Sequence, residues 1–328
     1  MSTQPAESLP SGTQTFVGNI EVRLRDLLGV DEKKVADGGR ILADATRHLT
    51  LASAAKRARP RLVYHFGTAL GVSDDDMIDI AIAAELVHTA SLLHDDVVDA
   101  GTERRQRPTV NTQWDNITAV LAGDSLLCSA LQRIARFEPS MTASAVQVVA
   151  EMTDSIMHEV KSRHCTDLER EDWWTIAEGK TGALFGWCGS APAVAAAEPS
   201  LAERFDACGR HLGVAFQMAD DLKDIVEFDA GKDRYADIRN GNPSFPLICA
   251  IGGKPAIGEK LVALWEEAEG APAAAEIAED VLSTDAVDET RRIIRREVDT
   301  AMDALGDFAD RNGGRWIAFW AEELCEAI

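Results

Sequence analysis

Residues 92–111 read LLHDDVVDAGTERRQRPTVN. An apolar run ends in Asp95, Asp96 and Asp99, and a few residues later the chain turns to Arg104, Arg105 and Arg107. Charge beside apolar surface is costly unless it is paired or holds a metal. A solvated, salt-bridged helix face explains most charge runs, but it explains Arg104 and Arg105 poorly, because a neutral loop would serve as well. Carboxylates at the C-terminal end of a helix also meet free carbonyls that already make that end negative. The stretch therefore predicts a long apolar helix whose acidic end has a task other than solubility.

Outward from it, nearly everything has helical periodicity and is rich in Ala, Leu and Glu. Helices are predicted over 16–29, 33–52, 60–71, 74–99, 114–136, 140–164, 170–192, 199–228, 245–252, 256–269, 273–282, 284–311 and 315–326. Their breaks carry Pro139, Pro199, GGKP and NGGR. Alternating strand patterns are missing, the NG at Asn240 has no flanking strand pair, and no fixed period recurs. Residues 1–15 are polar with two prolines and are expected to form a flexible tail, leaving 16–328 as one all-α domain.

The charge balance is 33 Lys+Arg against 55 Asp+Glu, a net of −22 over 328 residues. Such acidity argues against nucleic acid and anionic membrane as general partners. An anionic substrate must then be held by a local basic cluster or by bound cations. Six scattered cysteines without a CxxC pair read as small buried apolar residues in a reducing compartment. No secretory signal pattern opens the chain. The weakly polar run from Gly182, GALFGWCGSAPAVAAA, falls short of the roughly 18 apolar residues of a membrane span. A cytoplasmic protein without stable membrane insertion is expected.

The spacing D-D-x-x-D occurs three times. In DDMID (Asp75, Asp76, Asp79) it marks a helix start, with Ser73 as cap and acids where the dipole favours them. DDVVD (Asp95, Asp96, Asp99) and DDLKD (Asp220, Asp221, Asp224) instead end long apolar helices. Residues i and i+4 share a helix face, so Asp95 pairs with Asp99 and Asp220 with Asp224. Two such faces turned together form an oxygen-rich cage suited to Mg²⁺, which keeps water ligands. Basic residues complement it: Lys56, Arg57 and Arg59 in KRARP, Arg104 and Arg105, Lys180 in GKTGALF, and Lys232 eight residues after Asp224. Arginine grips phosphate with a planar fork and lysine with a point charge. Together they suggest one metal-bound diphosphate and a second held by cations alone. His88 lies seven residues before Asp95, two turns up the same helix, where a core histidine bonded to a carbonyl is the alternative.

These residues resemble the trans (E)-isoprenyl diphosphate synthases, the polyprenyl synthetase family. The resemblance runs from Lys56 to Pro246 through KRARP, ELVHTASLLHDDVVD, RRQRPTVN, AGDSLL, GKTGALF, FQMADDLKD and GKDRYADIRNGNPSFP. It implies a helical bundle around a deep apolar cavity, a homodimer, and condensation of an allylic diphosphate with isopentenyl diphosphate. It implies Asp95, Asp99 and Asp220 as direct Mg²⁺ ligands, about three ions per active site with substrate bound, and Asp96, Asp221 and Asp224 as their supports. Arg104, Lys180 and Lys232 would hold the allylic diphosphate. Lys56, Arg59, His88 and Arg105 would hold isopentenyl diphosphate, while Thr181 and Gln217 would face the reacting carbons.

The chain departs from the family pattern at Ala54 and Ala55, which replace two glycines, at Gln106, where glycine is usual, and at Asn242, where lysine is usual. These departures keep a low-activity or regulatory synthase-like subunit as an alternative. A class I terpene cyclase is another, disfavoured by DDLKD and KRARP; a helical metal phosphohydrolase lacks its ligand histidines. Ala90 and Ser91, five and four residues before Asp95, are small, so a product of geranylgeranyl length or longer is expected.

Overall fold

The computed structural model describes residues 11–29, 37–53, 55–226, 235–267, 270 and 272–326. It packs as two compact units, Met1–Val146 with Ala191–Ala202, and Gln147–Ser190 with Glu203–Ile328.

The first unit holds α1 (Ser11–Leu27), α2 (Asp37–Thr50), α3 (Ala58–Leu70) and α4 (Asp74–Val98). It continues with β1 (Glu103–Arg104), β2 (Arg107–Pro108), α5 (Val110–Gln113) and α6 (Asn116–Ile134). The expected tail is corrected here: α1 begins at Ser11, and Thr13, Phe16, Ile20 and Leu24 line its buried face at helical spacing. At the start of α4, Ser73 accepts the amide of Asp76 at 3.2 Å, with Asp74, Asp75 and Asp76 in the first turn. Asp76 and Asp79 also pair with Arg136, and Asp79 with Arg133, so DDMID is a structural helix start. Beyond it α4 is apolar on every side, which makes it the central helix of the unit, packed by α1, α2, α3 and α6. The α6 helix starts under an Asp115 cap and lays Ala119, Ala122, Gly123, Leu126, Ala130 and Ile134 inward. Both α4 and α6 match a membrane span in length and apolar composition, a match not expected from the sequence; most of the apolar window of α4 is buried.

The second unit takes the C-terminal part of α7 (Pro139–Ser162), then α8 (Arg170–Ala177) and a π-helical turn (Glu178–Gly182). After these come α9 (Ala183–Ala195) and α10 (Pro199–Val226), each in part, and α11 (Ala236–Asn240). They are followed by α12 (Phe245–Gly253), α13 (Ala256–Trp265), α14 (Ala274–Leu282), α15 (Ala286–Leu305) and α16 (Asn312–Glu326). A close contact joins the π turn and α9 to α10. A Cβ added at Gly209 would lie 2.3 Å from the Phe185 carbonyl oxygen, and one at Gly213 would lie 2.7 Å from Gly182 Cα. Only glycine permits so close an approach.

Several elements differ from the sequence expectation. The helix predicted over 170–192 contains the π turn, where Ala183 N–H donates to Glu178 O five residues back. The short α5 and α11 and the β1–β2 hairpin went unpredicted. The helix predicted to run to 311 ends at Leu305, where Gly306 (φ 53°) opens a 3₁₀ turn. Residues 33–36 of the second predicted helix and residues 1–10 of the tail lie outside the described residues. All six cysteines are free thiols; Cys128 and Cys165 are exposed, not buried as expected. Burial pushes the Cys208 thiol up to about 12, so it is inert at neutral pH.

Candidate active site

In the first unit the acidic end of α4 and the hairpin beyond it form one assembly. Asp99 caps α4, its amide donating to Asp95 O at 2.8 Å. Asp96 is buried, and Arg104 Nε donates to its Oδ1 at 2.6 Å. Its Oδ2, also buried, has no hydrogen-bond partner among the described residues. Burial, opposed by Arg104, raises the Asp96 carboxyl above its usual range. Asn111 Nδ2 donates to the carbonyls of Asp96 and Gly101, and Thr109 Oγ1 to Gly101 O, which ties the returning chain to the helix end.

The hairpin pairs Glu103 with Pro108 and Arg104 with Arg107 around a two-residue turn. Both turn residues, Arg105 (φ 54°) and Gln106 (φ 61°), are left-handed, as in a type I′ turn. That explains why glycine suits position 106, and what Gln106 costs: about 1 kcal/mol. Arg105 Nη1 donates to Leu49 O at 3.1 Å, and its Nη2 lies 3.9 Å from Glu85 Oε1. Arg57 is buried with left-handed backbone. Its guanidinium bonds Glu85 Oε1, Glu21 Oε1 (2.7 Å) and Thr50 O (2.7 Å).

His88 feels this cluster. Burial, then Arg59, Arg105, Arg104 and Arg57 in turn, hold its imidazole well below the usual range, so the ring is neutral at neutral pH. Four guanidiniums near one half-buried imidazole make a region of strong positive potential in an acidic chain, which is what an anionic ligand requires. Arg59 is buried, whereas Lys56 is exposed. Ala54 lies outside the described residues.

In the second unit the π turn carries Lys180 and Thr181. Lys180 Nζ donates to Glu159 Oε2 at 2.5 Å. Thr181 Oγ1 donates to Gln217 Oε1 at 2.8 Å, and Gln217 Nε2 to Asp221 Oδ1 at 3.0 Å. The glycine-lined contact of α9 with α10 brings this line of groups together. Asp221 Oδ2 also accepts the Trp173 indole N–H (2.8 Å) and the Phe245 amide (3.0 Å). Burial pushes the Asp221 carboxyl up to about 7 against those three bonds. Asp224 accepts the amides of Ala236 (3.0 Å) and Asp237 (3.2 Å), which fixes the start of α11. Asp237 is a half-buried acid held well above the usual carboxylate range by desolvation, then by Asp221 and Asp224. Asn242, where lysine is expected, donates to Asp237 Oδ1 at 3.3 Å. Asp220 is exposed, and Lys232 lies outside the described residues.

Each expected site residue that is described thus falls into one of two sets: Lys56, Arg59, His88, Asp95, Asp96, Asp99, Arg104 and Arg105 in the first unit, and Lys180, Thr181, Gln217, Asp220, Asp221 and Asp224 in the second. Asp221 and Asp224 spend both carboxylate oxygens on protein donors, which suits supports better than direct metal ligands, whereas Asp96 spends only Oδ1. Glu85, Glu159, Trp173 and Asp237 were not singled out from the sequence. The signal for Glu85 was present: a lone carboxylate in the apolar IAIAAELVHTA.

Among the described residues no three His, Cys, Asp or Glu side chains gather closely enough to cage a metal by themselves. An all-oxygen set that includes the orphaned, buried Asp96 Oδ2 nevertheless fits a hard cation that takes its remaining ligands from water and phosphate.

Fold and site together define a predominantly helical protein with acidic helix ends and a guanidinium cluster, groups suited to cations and to anions respectively. A polyprenyl synthetase family model matches residues 40–281. The chain belongs to the polyprenyl synthetase family. A (2E,6E)-farnesyl diphosphate synthase from Mycobacterium tuberculosis (strain H37Rv) is 32% identical over 228 residues, 67% of this chain and 64% of that relative. The chain thus spans just under two thirds of that relative's length. Heptaprenyl diphosphate synthase component 2 from Geobacillus stearothermophilus is 30% identical over 269 residues, 80% of this chain and 83% of that one. Among solved structures, a polyprenyl synthase from Caulobacter crescentus CB15, complexed with calcium and isoprenyl diphosphate, superposes with a TM-score of 0.87. It is 25% identical, covering 98% of this chain and 99% of that one.

Proposed function

We propose that the protein is a trans-polyprenyl diphosphate synthase that joins an allylic diphosphate head to tail to isopentenyl diphosphate, releasing pyrophosphate. The observation that carries this is the linked end of α4, where Asp96 holds Arg104 beside a cluster of guanidiniums around a neutral His88. Carboxylates for cations and arginines for bare phosphate sit within one short stretch.

The hard step is heterolysis of the allylic C–O bond, whose electron pair leaves with the diphosphate. Divalent cations, when bound at Asp95, Asp99 and Asp220, would supply Lewis-acid stabilisation of that departing charge. Arg104, Lys180 and Lys232 hold the allylic diphosphate and share the load electrostatically. The Thr181 and Gln217 dipoles ease the carbocation. Arg59, His88, Arg105 and Lys56 orient isopentenyl diphosphate so that its double bond gives an electron pair to the carbocation. The new C–C bond leaves a cation that loses a proton to the departing pyrophosphate. His88, kept neutral, serves as a hydrogen-bonding group and adds no charge to the arginines. Mg²⁺ suits the oxygen ligands. The exposed apolar residues Ile117, Val120 and Leu121 on one face of α6 support a homodimer.

For product length, Ala90 is fully buried and small, one turn above the first acidic cluster, and Ser91 turns its hydroxyl to its own helix at His88 O. Neither carries bulk that would stop a growing chain, which supports geranylgeranyl length or longer. The experiment is incubation of purified protein with labelled isopentenyl diphosphate and geranyl, farnesyl or geranylgeranyl diphosphate, with Mg²⁺ or with EDTA. Label should enter apolar products only with Mg²⁺. Absence of incorporation with every primer would refute the reading.

A further inference from the structure

Glu85 is the sole acidic residue in α4 between Asp79 and Asp95. It is 1% exposed and three residues from His88, so both lie on one side of the helix. A buried carboxylate is costly unless it is paired, and this one is paired twice through a single oxygen. Oε1 accepts from Arg57 Nη1 and lies 3.9 Å from Arg105 Nη2. The last turn of α2 supplies the remaining acceptors, Thr50 O for Arg57 and Leu49 O for Arg105. Those carbonyls sit at the negative end of a helix dipole, which adds to the pull on both guanidiniums.

The two arginines are otherwise badly placed. Each has a left-handed backbone, and Arg105 is repelled by Arg57 and Arg104. Burial and those like charges lower the Arg105 pKa, and Glu85 is the chief group opposing them. For Arg57, burial works against the charge, while Glu85 and Glu21 more than offset it. Remove the Glu85 charge, and Arg57 keeps Glu21 but Arg105 loses the acidic group nearest its fork.

We propose that Glu85 is a positioning residue for the isopentenyl diphosphate site: with the last carbonyls of α2, its carboxylate aims the Arg105 and Arg57 forks before substrate arrives. It touches no substrate and acts through the arginines. Setting a fork in advance lowers the ordering cost of binding, so the effect belongs on one substrate's affinity. The inference rests on the assignment of Arg105 to isopentenyl diphosphate.

The test is steady-state kinetics of Glu85→Gln, Glu85→Asp and Arg105→Lys, with both substrates varied and melting temperature measured alongside. Glu85→Gln should raise the isopentenyl diphosphate KM about tenfold, a coupling of ordinary size for contacting charged groups. Its kcat and allylic KM should stay within about twofold of wild type on the same grounds. Glu85→Asp, which restores charge on a shorter arm, should fall between the two, and it carries the test if Glu85→Gln fails to fold. An unchanged isopentenyl KM in the Glu85 variants beside a raised one in Arg105→Lys would overturn the inference and leave the site assignment standing. So would a parallel rise of both KM values with a lowered melting temperature, the mark of a merely structural carboxylate. An unchanged isopentenyl KM in Arg105→Lys would instead sink the assignment, and the inference with it.

Discussion

Replacing Trp173 with Phe would remove one of the two N–H donors on Asp221 Oδ2 and nothing else polar. The size of the effect depends on whether Asp221 is charged. Its folded pKa of about 7 exceeds the 3.8 of an ordinary aspartate. Between those values the folded chain holds a proton that the unfolded chain has released, so this group makes stability fall as pH rises through the window. At pH 8 the carboxylate is ionised and the lost bond is charge-assisted, costing about 1.5–3 kcal/mol; at pH 5 the group is a neutral acid and the loss is about 0.5–1.5 kcal/mol. The smaller ring also loosens contacts with Trp174 and Phe245, whose centroids lie 5.7 and 5.0 Å away. That packing loss of about 1 kcal/mol applies at both pH values. Trp173→Phe should therefore destabilise more at pH 8 than at pH 5, by about 1–1.5 kcal/mol. Urea unfolding followed by far-UV circular dichroism in EDTA gives both numbers from midpoint and slope. Equal losses at the two pH values, or a larger one at pH 5, would refute the claim that the indole serves a buried, titrating carboxylate.

Asp95→Ala or Asp220→Ala should lower turnover by several orders of magnitude with the fold intact, whereas Asp75→Ala, whose side chain is 87% exposed at the helix start, should leave turnover nearly unchanged; similar losses in all three would show the cage misassigned. Asn242→Lys should lower the allylic KM and leave the isopentenyl KM unchanged; a change confined to the isopentenyl KM would displace that loop from the allylic diphosphate. Ala90→Phe should shift the products to shorter chains without abolishing condensation, as seen by chromatography of the dephosphorylated alcohols; a wild type that already stops at farnesyl would place the cavity floor elsewhere.

The long helices were legible because each carries its own punctuation: Ser73 and three aspartates start α4, Asp115 starts α6, and Pro139 and Pro199 open α7 and α10. The tail boundary was misplaced although Thr13, Phe16, Ile20 and Leu24 already had the spacing of a buried face. The hairpin was hidden because its strands are two residues each, too short to alternate, and Arg105-Gln106 carries no Asn-Gly turn signal. The acidic clusters were legible as a pattern, but the fate of each carboxylate was not. Which oxygens of Asp221 are spent depends on Trp173, 48 residues earlier, and on the Phe245 amide, 24 residues later. Local spacing carries no trace of such pairings. The partners of Lys180 and Asn242, Glu159 and Asp237, were missed for the same reason: a donor seen alone invites a ligand, and its intramolecular acid emerges only when the chain is folded.

The π turn at Glu178–Gly182 amounts to one residue more than a regular helix would need, and each residue is worth about 100° of rotation. Lys180 and Thr181 are thus set by a phase offset between α8 and α9. Deleting Glu178 or Gly179 from the turn would erase that offset while keeping every side chain of the proposed catalytic set in the sequence. The face of α9 that meets Gly209 and Gly213 would then swing away, carrying Thr181 from Gln217. A one-residue deletion here would act as a frameshift in three dimensions, in which every downstream residue is retained and the orientation of one after another is wrong.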